Sequence, residues 1–381
     1  MRNKSDYKNP QRVKGSPDFR RGVCRPPSGA VRHAFCAAAS TRTLGAQTDG
    51  EGAILAQAGF LYIALNAASG IFFCIFINKD GDDMLDICLP GTGGTVPKLD
   101  RFLSCCYLRY NGIGLLIDCG EGTQLSVKKS GFSLAKINII LLTHFHADHC
   151  SGLPGLLLSM GNEGHTEPLI IAGPPGVGEI VKSLTRIAQE LPFRIVTREM
   201  TDFDYFESFG YCITAFELKH SCQCLGYDIR IKRNGKFNVS KAKKNGVPMR
   251  YWNRLQKGEC VEEFTPDMVL GEPRRGIHVT FATDTRPCDI ISTMASDADL
   301  LICEGMFEHE KLARAKESFH MTMKEAAVLA KESGCSELWL THYSPALPDP
   351  SVCFNEALEV FDKAVLSSDG QIKTIYFEND D

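Results

Sequence analysis

The chain has 381 residues, with 42 Lys and Arg against 46 Asp and Glu, and hydrophobic residues make up 44% of it. This composition is ordinary for a folded protein and excludes a collagen, a coiled coil and a wholly disordered chain. The 16 cysteines are scattered without a CxxC pair, which indicates free thiols in a reducing, cytoplasmic compartment rather than a disulfide scaffold.

The first 83 residues differ from the rest of the chain. Residues 1–50 carry ten Lys or Arg and three Asp or Glu without a hydrophobic period, which predicts a disordered basic tail. The apolar run at 53–77 that follows is long enough for a signal-anchor or a packed helix, or it lies upstream of a true start at Met84. We favour the last interpretation, in which residues 1–83 are a non-homologous extension, and we expect no stable membrane partner.

From Met84 onward, short apolar runs alternate with helical patterns. The predicted strands are Leu85–Leu89, Leu103–Tyr110, Gly114–Asp118, Ile137–Thr143, Leu169–Ala172, Tyr211–Leu218, Leu225–Lys232, Val279–Thr283, Leu300–Cys303, Leu338–Thr341 and Ile372–Phe377. The predicted helices are Leu153–Met160, Gly176–Glu190, Asp289–Ser296, Met323–Ser333 and Cys353–Ala364. This order favours a single α/β domain over 84–381, in which helices cover two sheets and so bury both faces of each.

A group of metal-binding side chains closes one of these strands, in the segment Thr143-His-Phe-His-Ala-Asp-His149. His144 and His146 are two residues apart, so in extended backbone both project to the same side. Asp148 and His149 then lie on the following turn. Three imidazoles and a carboxylate are a donor set that suits zinc, and the segment therefore predicts a metal site at the end of a buried strand.

This HxHxDH pattern resembles the metallo-β-lactamase superfamily, and the resemblance spans Met84 to the C-terminus. It implies an αββα sandwich with two metal ions at the strand ends. It further implies that three residues just past other strands complete the site: His220, Asp284 as a bridging carboxylate, and His342. The implied ligands are then His144, His146, Asp148, His149, His220, Asp284 and His342, which hold two Zn²⁺ per chain, with Mn²⁺ or another divalent metal as the alternative.

Further motifs resemble ribonuclease Z, the tRNA 3′-processing endonuclease family: Leu89-Pro-Gly-Thr-Gly93, Leu115-Leu-Ile-Asp-Cys-Gly-Glu-Gly-Thr-Gln124, Gly152-Leu-Pro-Gly-Leu156 and Thr283-Asp-Thr-Arg286. The resemblance implies three catalytic residues. Asp148 orients or deprotonates the attacking water, His320 protonates the leaving 3′ oxygen, and Glu304 positions the His320 imidazole. It also implies a homodimer in which the arm of one subunit serves the active site of its partner.

A block of basic residues is a second, independent indication of function. Arg230–Gly258 holds ten Lys or Arg and no Asp or Glu, with aromatic residues interleaved. Basic side chains neutralise phosphates and aromatic rings stack on bases, so the block predicts RNA binding, although a solvated charged loop is the plain alternative. Ribonuclease Z carries a protruding arm at this place, which implies a basic arm at about 230–275. The predicted RNA contacts are Lys236, Lys241, Lys243, Lys244, Arg250, Trp252, Arg254 and Lys257.

The predicted function is that of a zinc-dependent endoribonuclease that removes the 3′ trailer of precursor tRNA and leaves a tRNA 3′-hydroxyl. Two alternatives stay open: a small-substrate phosphodiesterase or other hydrolase of the same fold, such as a lactonase, and a non-catalytic RNA-binding protein. The segment Gly173–Gly178 resembles a phosphate loop but lacks the Gly-Lys-Ser/Thr that would follow. The Gly-rich turn Gly91–Gly94 is expected to let the backbone approach the active site.

Overall fold

The computed structural model describes residues 54–57, 60–63, 84–188 and 190–378, and the chain divides into two units at Ile77. Within the first unit, strands β1 (Ile54–Gln57) and β2 (Phe60–Ile63) pair as an antiparallel hairpin. These strands lie in the apolar run 53–77. The other predictions made for residues 1–83 fall outside the described residues.

The second unit contains two mixed sheets of seven strands each. The first sheet has the order β16-β3-β4-β5-β6-β7-β8, antiparallel from β16 to β5 and parallel from β5 to β8. Its strands are β3 (Met84–Gly91), β4 (Cys105–Tyr110), β5 (Ile113–Ile117), β6 (Ile137–Leu141), β7 (Leu169–Gly173), β8 (Ile195–Glu199) and β16 (Gln371–Tyr376).

The second sheet repeats this arrangement in the order β15-β14-β13-β12-β11-β10-β9, parallel from β15 to β12 and antiparallel from β12 to β9. Its strands are β9 (Tyr205–Ser208), β10 (Tyr211–Leu218), β11 (Cys224–Arg233), β12 (Arg274–Ala282), β13 (Leu300–Glu304), β14 (Leu338–Thr341) and β15 (Ala364–Leu366).

Helices cover the outer faces of both sheets. The α-helices are α1 (Thr123–Lys129), α2 (Ala147–Cys150), α3 (Leu153–Asn162), α4 (Val177–Leu184), α5 (Val239–Lys244), α6 (Trp252–Gln256), α7 (Asp289–Met294), α8 (Leu312–Glu317), α9 (Met323–Ser333) and α10 (Asn355–Leu358). Sequence signals set the ends of α9. Thr322 and Glu325 form a reciprocal capping box at its start, and Gly334 ends it in left-handed backbone.

Three apolar layers hold the sandwich together. The central layer lies between the two sheets and includes Ile87, Leu108, Phe281 and Trp339, all at most 1% exposed. Two outer layers pack α1, α3 and α4 on the first sheet and α7, α9 and α10 on the second. Such burial of apolar surface on both faces of each sheet is the main stabilisation of a layered α/β fold. The predicted αββα sandwich is confirmed.

Two predicted helices are wrong in extent. The helix predicted at Gly176–Glu190 ends at Leu184 and is followed by a 3₁₀ turn, and Glu190 has a φ of +65°, which no helix accommodates. The helix predicted at Cys353–Ala364 is reduced to the single turn α10. Its last residue instead begins β15, where Ala364 pairs with Leu338 to complete the sheet edge.

Candidate metal centre

The HxHxDH segment leaves the buried strand β6 and turns into the short helix α2, whose N-cap is His146 in extended backbone. His144 and His149 are fully buried, while Asp148 is half-buried and His146 is exposed. Leu225, on the second sheet, donates its backbone N–H to the carbonyl of Thr143 over 2.9 Å. The segment therefore lies where the two sheets meet, at the carboxyl ends of the parallel strands of the first sheet.

Asp118, just past β5, holds this segment in place. Its carboxylate accepts hydrogen bonds from the Thr143 backbone N–H at 2.8 Å and lies 2.8 Å from Nδ1 of His149. Because Asp118 engages Nδ1 of His149, the other ring nitrogen, Nε2, faces the centre of the site. A carboxylate in this position fixes the tautomer and the direction of a metal-binding imidazole.

The second sheet supplies three more of the predicted residues. Asp284 follows β12 and His342 follows β14, and these strands are parallel, so their carboxyl ends meet at one edge. His220 follows β10 at the same edge. Asp284, His342 and Asp118 all have left-handed backbone, with φ of 57°, 58° and 62°. This conformation is uncommon for residues other than glycine, and a functional constraint is a frequent reason for it.

The carboxylate of Asp284 is the centre of the cluster. Its oxygens lie 3.3 Å from Nε2 of His342 and 3.4 Å from Nε2 of His149. They also lie 3.9 Å from Nε2 of His144 and 4.0 Å from Nε2 of His220. All seven predicted ligands are thus brought to one place, since Asp148 Oδ2 is 3.4 Å from His149 Nε2 and His146 Nδ1 is 3.3 Å from His220 Nε2.

The donor atoms of this cluster fit a divalent metal. Nε2 of His144, Nε2 of His149 and Oδ1 of Asp284 are buried and have no hydrogen-bond partner. Buried polar atoms are almost always satisfied, because an unmade hydrogen bond costs about 1–3 kcal/mol. Three unsatisfied atoms that converge on one point are explained by a cation between them, and imidazole and carboxylate are ligands that zinc accepts.

The imidazoles of the cluster differ in their pKa values and therefore in their protonation. Burial lowers the pKa of His144 to about 2, with a further contribution from His149, so His144 is neutral and can bind a metal. Burial also disfavours the charged form of His149, but Asp284 and Asp118 outweigh it and raise the pKa of His149 well above 6.5. A metal ion that binds His149 must therefore displace a proton.

Glu304 and His320 form the predicted proton-handling pair beside this cluster. Glu304, at the end of β13, is fully buried, and its Oε2 lies 3.0 Å from Nδ1 of His320. Burial alone would lower the pKa of His320, but the Glu304 carboxylate raises it to about 9. The His320 ring stacks on the His342 ring with 5.6 Å between centroids. A protonated imidazole therefore lies directly against the candidate metal ligands.

The Gly-rich turn after β3 approaches the site closely, as expected. A Cβ on Gly94 would lie 2.7 Å from Nε2 of His342, so only glycine fits there without moving that ring. The next residue, Thr95, donates its backbone N–H to Oδ2 of Asp148 over 2.8 Å. The turn therefore orients the one carboxylate of the HxHxDH motif.

Sequence reasoning missed several residues that contact the predicted ligands, among them Asp118, Ser104 and Cys222. Asp118 fixes His149 as described, and Ser104 Oγ lies 2.6 Å from Nδ1 of His342. Cys222 Sγ lies 3.8 Å from Nε2 of His146. Only a weak indication of Asp118 was visible in the sequence, because it is a single carboxylate just past β5, the strand next to β6. Ser104 and Cys222 had none beyond their closeness to other motifs.

The basic block folds into a small arm between β11 and β12 with an apolar cluster of its own, which includes Ala242, Val247, Leu255 and Val269. Trp252 is half-buried in it: its Nε1–H donates to the Val247 carbonyl, and its ring packs against Phe237 with 5.1 Å between centroids. Several of the predicted RNA-contacting cations have partners in the arm: Lys241 donates to the Leu270 carbonyl, Arg254 pairs with Glu259, and Arg250 donates to the Tyr251 hydroxyl. Arg250 is exposed, as are the predicted contacts Lys236, Lys243, Lys244 and Lys257.

This fold and this buried cluster of imidazoles and carboxylates define a metal-dependent hydrolase of the metallo-β-lactamase fold. A protein named ribonuclease Z from Agathobacter rectalis is 50% identical over 303 residues, which cover 78% of this chain and 100% of that protein. The chain belongs to the ribonuclease Z family, which confirms the resemblance found in its motifs.

Solved structures agree with this assignment. Human tRNase Z, short form, is 25% identical and superposes with a TM-score of 0.56, covering 76% of this chain and 98% of that one. YhfI of Bacillus subtilis, a metallo-β-lactamase fold protein, is 20% identical with a TM-score of 0.58, covering 77% and 100%, and shows the fold alone. A family profile described as anti-Pycsar protein Apyc1 matches residues 85–221. Among the described residues, none of the helices has the length and apolar character needed to cross a bilayer.

Proposed function

We propose that this protein cleaves the 3′ trailer from precursor tRNA by metal-dependent hydrolysis of one phosphodiester bond. The observation that carries the proposal is the Glu304–His320 pair, which places a protonated imidazole against the ligand cluster around Asp284. A hydrolase that cuts RNA needs an acid for the leaving 3′ oxygen, and this pair supplies one. Membership of the ribonuclease Z family supports the choice of tRNA as substrate.

The ligand geometry supports two metal positions that share Asp284. His144, His146 and His220 form one group of neighbouring donors, and Asp148, His149 and His342 form another. Asp284 lies within 4.0 Å of imidazoles from both groups. We assign Zn²⁺ to both positions. When bound, the two ions lower the pKa of water and neutralise charge on the phosphate.

Two side chains would move protons. Asp148 is held by the Thr95 backbone N–H. Burial raises the pKa of Asp148, but the hydrogen bond to His149 and the charges of His149 and His342 together lower it by more. Asp148 is therefore ionised and can orient the attacking water or accept its proton. His320 carries its proton at neutral pH and can donate it to the leaving oxygen from Nε2, the ring nitrogen that Glu304 does not contact.

The arm, at about 230–275 within a hydrolase domain over 84–381, would bind the body of the tRNA. It begins after Arg233 and ends before Arg274, and ten residue steps along a nearly continuous strand separate Arg274 from Asp284. At 3.3 Å per residue the root of the arm lies about 30 Å from the candidate metal centre. This distance supports a role in gripping RNA away from the cut, and it is consistent with a homodimer in which each arm holds the RNA cut by its partner.

The test is cleavage of a 5′-labelled precursor tRNA by zinc-loaded protein, with the new 3′ end mapped to the nucleotide. We expect one cut at the start of the trailer and a 3′-hydroxyl product. A chromogenic phosphodiester is assayed in parallel. Hydrolysis of the small ester without cleavage of the tRNA would instead support a small-substrate phosphodiesterase, and failure of both with full metal content would support a non-catalytic RNA-binding protein.

A further inference from the structure

The loop between β10 and β11 brings a thiol to the three-histidine side of the candidate metal centre. Cys222 is two residues beyond His220, and its Sγ lies 3.8 Å from Nε2 of His146. His144, His146, His220 and Cys222 each offer one ligand atom, and these four atoms all lie within 4.8 Å of one another. Ligand atoms that surround one zinc ion lie about this close together, so the thiol can join the three imidazoles and the shared Asp284.

A second observation shows that this group faces a cation site. Nε2 of His144 is fully buried and has no hydrogen-bond partner. On the other side of the group, Nδ1 of His220 is 3.3 Å from the Phe319 carbonyl oxygen, which turns its Nε2 toward His146. His146 turns its Nδ1 toward His220 and its Nε2 toward Cys222, so the thiol is a further donor beside the three imidazoles.

Exposure sets this cysteine apart from most others. Of the cysteines that the structure describes, only Cys222 and Cys260 are exposed, and the rest are buried. Cys260 lies in the arm, outside every group of potential metal ligands found among the described residues. Cys222 is therefore the accessible thiol that can reach a metal without rearrangement of the core.

We propose that Cys222 is a protein ligand of the metal held by His144, His146 and His220, and that its sulfur makes this position selective for zinc over manganese. The inference rests on the metal assignment given under Proposed function. Binding forms a metal–sulfur bond and breaks the S–H bond, and the proton leaves to solvent. Thiolate is a soft ligand that favours Zn²⁺ and other thiophilic ions, whereas Mn²⁺ prefers oxygen donors.

The test uses Co²⁺, which replaces zinc and shows a near-ultraviolet charge-transfer band only when a thiolate is bound to it. The full chain is loaded with Co²⁺ as wild type, as Cys222→Ser and as Cys260→Ser, the matched exposed-cysteine control. We expect the band in wild type and in Cys260→Ser and its loss in Cys222→Ser. A band of equal strength in Cys222→Ser, or no band in wild type, would overturn the proposal, because the thiol would then only orient His146.

Metal competition gives a second readout. Zinc affinity of Cys222→Ser should fall by at least about tenfold, because loss of even an outer-sphere partner costs that much. Manganese affinity should change little, and equal losses for both ions would contradict the selectivity. Cleavage of precursor tRNA by wild-type protein is measured separately. A wild type that shows the cobalt band but does not cut tRNA would refute the proposed function and leave the ligand assignment intact.

Discussion

The pair Glu304–His320 allows the proposed chemistry to be tested through its pH dependence. Burial lowers the pKa of His320 and the Glu304 carboxylate raises it, with a net change from 6.5 to about 9. Glu304→Gln removes the charge and keeps the size of the side chain. Burial is then opposed only by the charge of Asp284, so the pKa of His320 falls toward or below the ordinary imidazole value of about 6.5. The acid form of His320, present up to about pH 9 in wild type, is thus lost near or below neutrality in the variant.

The size of the effect follows from the two pKa values. At pH 8 an imidazole with a pKa of about 9 is about 90% protonated, and one with a pKa of 6.5 is about 3% protonated. The rate of cleavage at pH 8 should therefore fall about 30-fold or more, and the loss at pH 6 should be at least about tenfold smaller than at pH 8. A purely structural defect would lower the cleavage rate by a similar factor at pH 6 and at pH 8.

The assay is single-turnover cleavage of precursor tRNA at saturating enzyme, measured between about pH 6 and 9 with metal content determined on the same samples. Glu308→Gln, which neutralises a half-buried carboxylate four residues further along the chain, is the matched control and should keep the wild-type profile. If Glu304→Gln retains its metals and shows the wild-type alkaline limb, Glu304 does not set the protonation of His320 and the assigned acid is wrong.

Three other variants test the remaining assignments. Asp284→Ala removes the carboxylate nearest to four imidazoles, so metal analysis should show both ions lost together, and a variant that keeps its metal would contradict the shared position. Asp118→Asn weakens the hydrogen bond that orients the His149 imidazole, so metal affinity measured by chelator competition should fall about 10- to 100-fold. An unchanged affinity would show that Asp118 does not orient a metal ligand. The third variant replaces three exposed lysines of the arm by Ala: Lys243, Lys244 and Lys257. Filter binding to tRNA should show the slope of log affinity against log salt reduced by about 0.7–0.9 per lost contact, with hydrolysis of a chromogenic phosphodiester unchanged. An unchanged slope would mean that these lysines contact no phosphate.

The candidate metal centre was predictable from the HxHxDH motif and from the superfamily resemblance, which implied Asp284 and His342, and the fold shows why such residues come together. His144 follows β6, Asp284 follows β12 and His342 follows β14, each just past an apolar run that predicts a buried strand. The carboxyl ends of neighbouring parallel strands meet at one edge, so residues far apart in sequence could be placed together before any coordinates. The family motifs then supplied the pairing of Glu304 with His320.

Other parts of the site depend on three-dimensional contacts that leave no recognisable pattern in the sequence. Cys222 is one of 16 cysteines, and its exposure beside His146 is a property of the folded loop. The charge of the arm was visible in the sequence, but its short helices were not, because α5 and α6 are too short to show a helical period. Trp252 read as a base-stacking residue, whereas part of its ring packs inside the arm against Phe237.

The left-handed backbone at Asp118, Asp284 and His342 has an evolutionary consequence. Each such residue costs the folded chain about 1 kcal/mol relative to glycine, and the buried, unsatisfied Oδ1 of Asp284 adds to that cost. Selection for thermal stability alone would therefore replace these side chains and erase the centre. The residues persist only while catalysis is selected. In a lineage that no longer needs the reaction, these three positions should drift to glycine or to small residues before the apolar layers of the sandwich change.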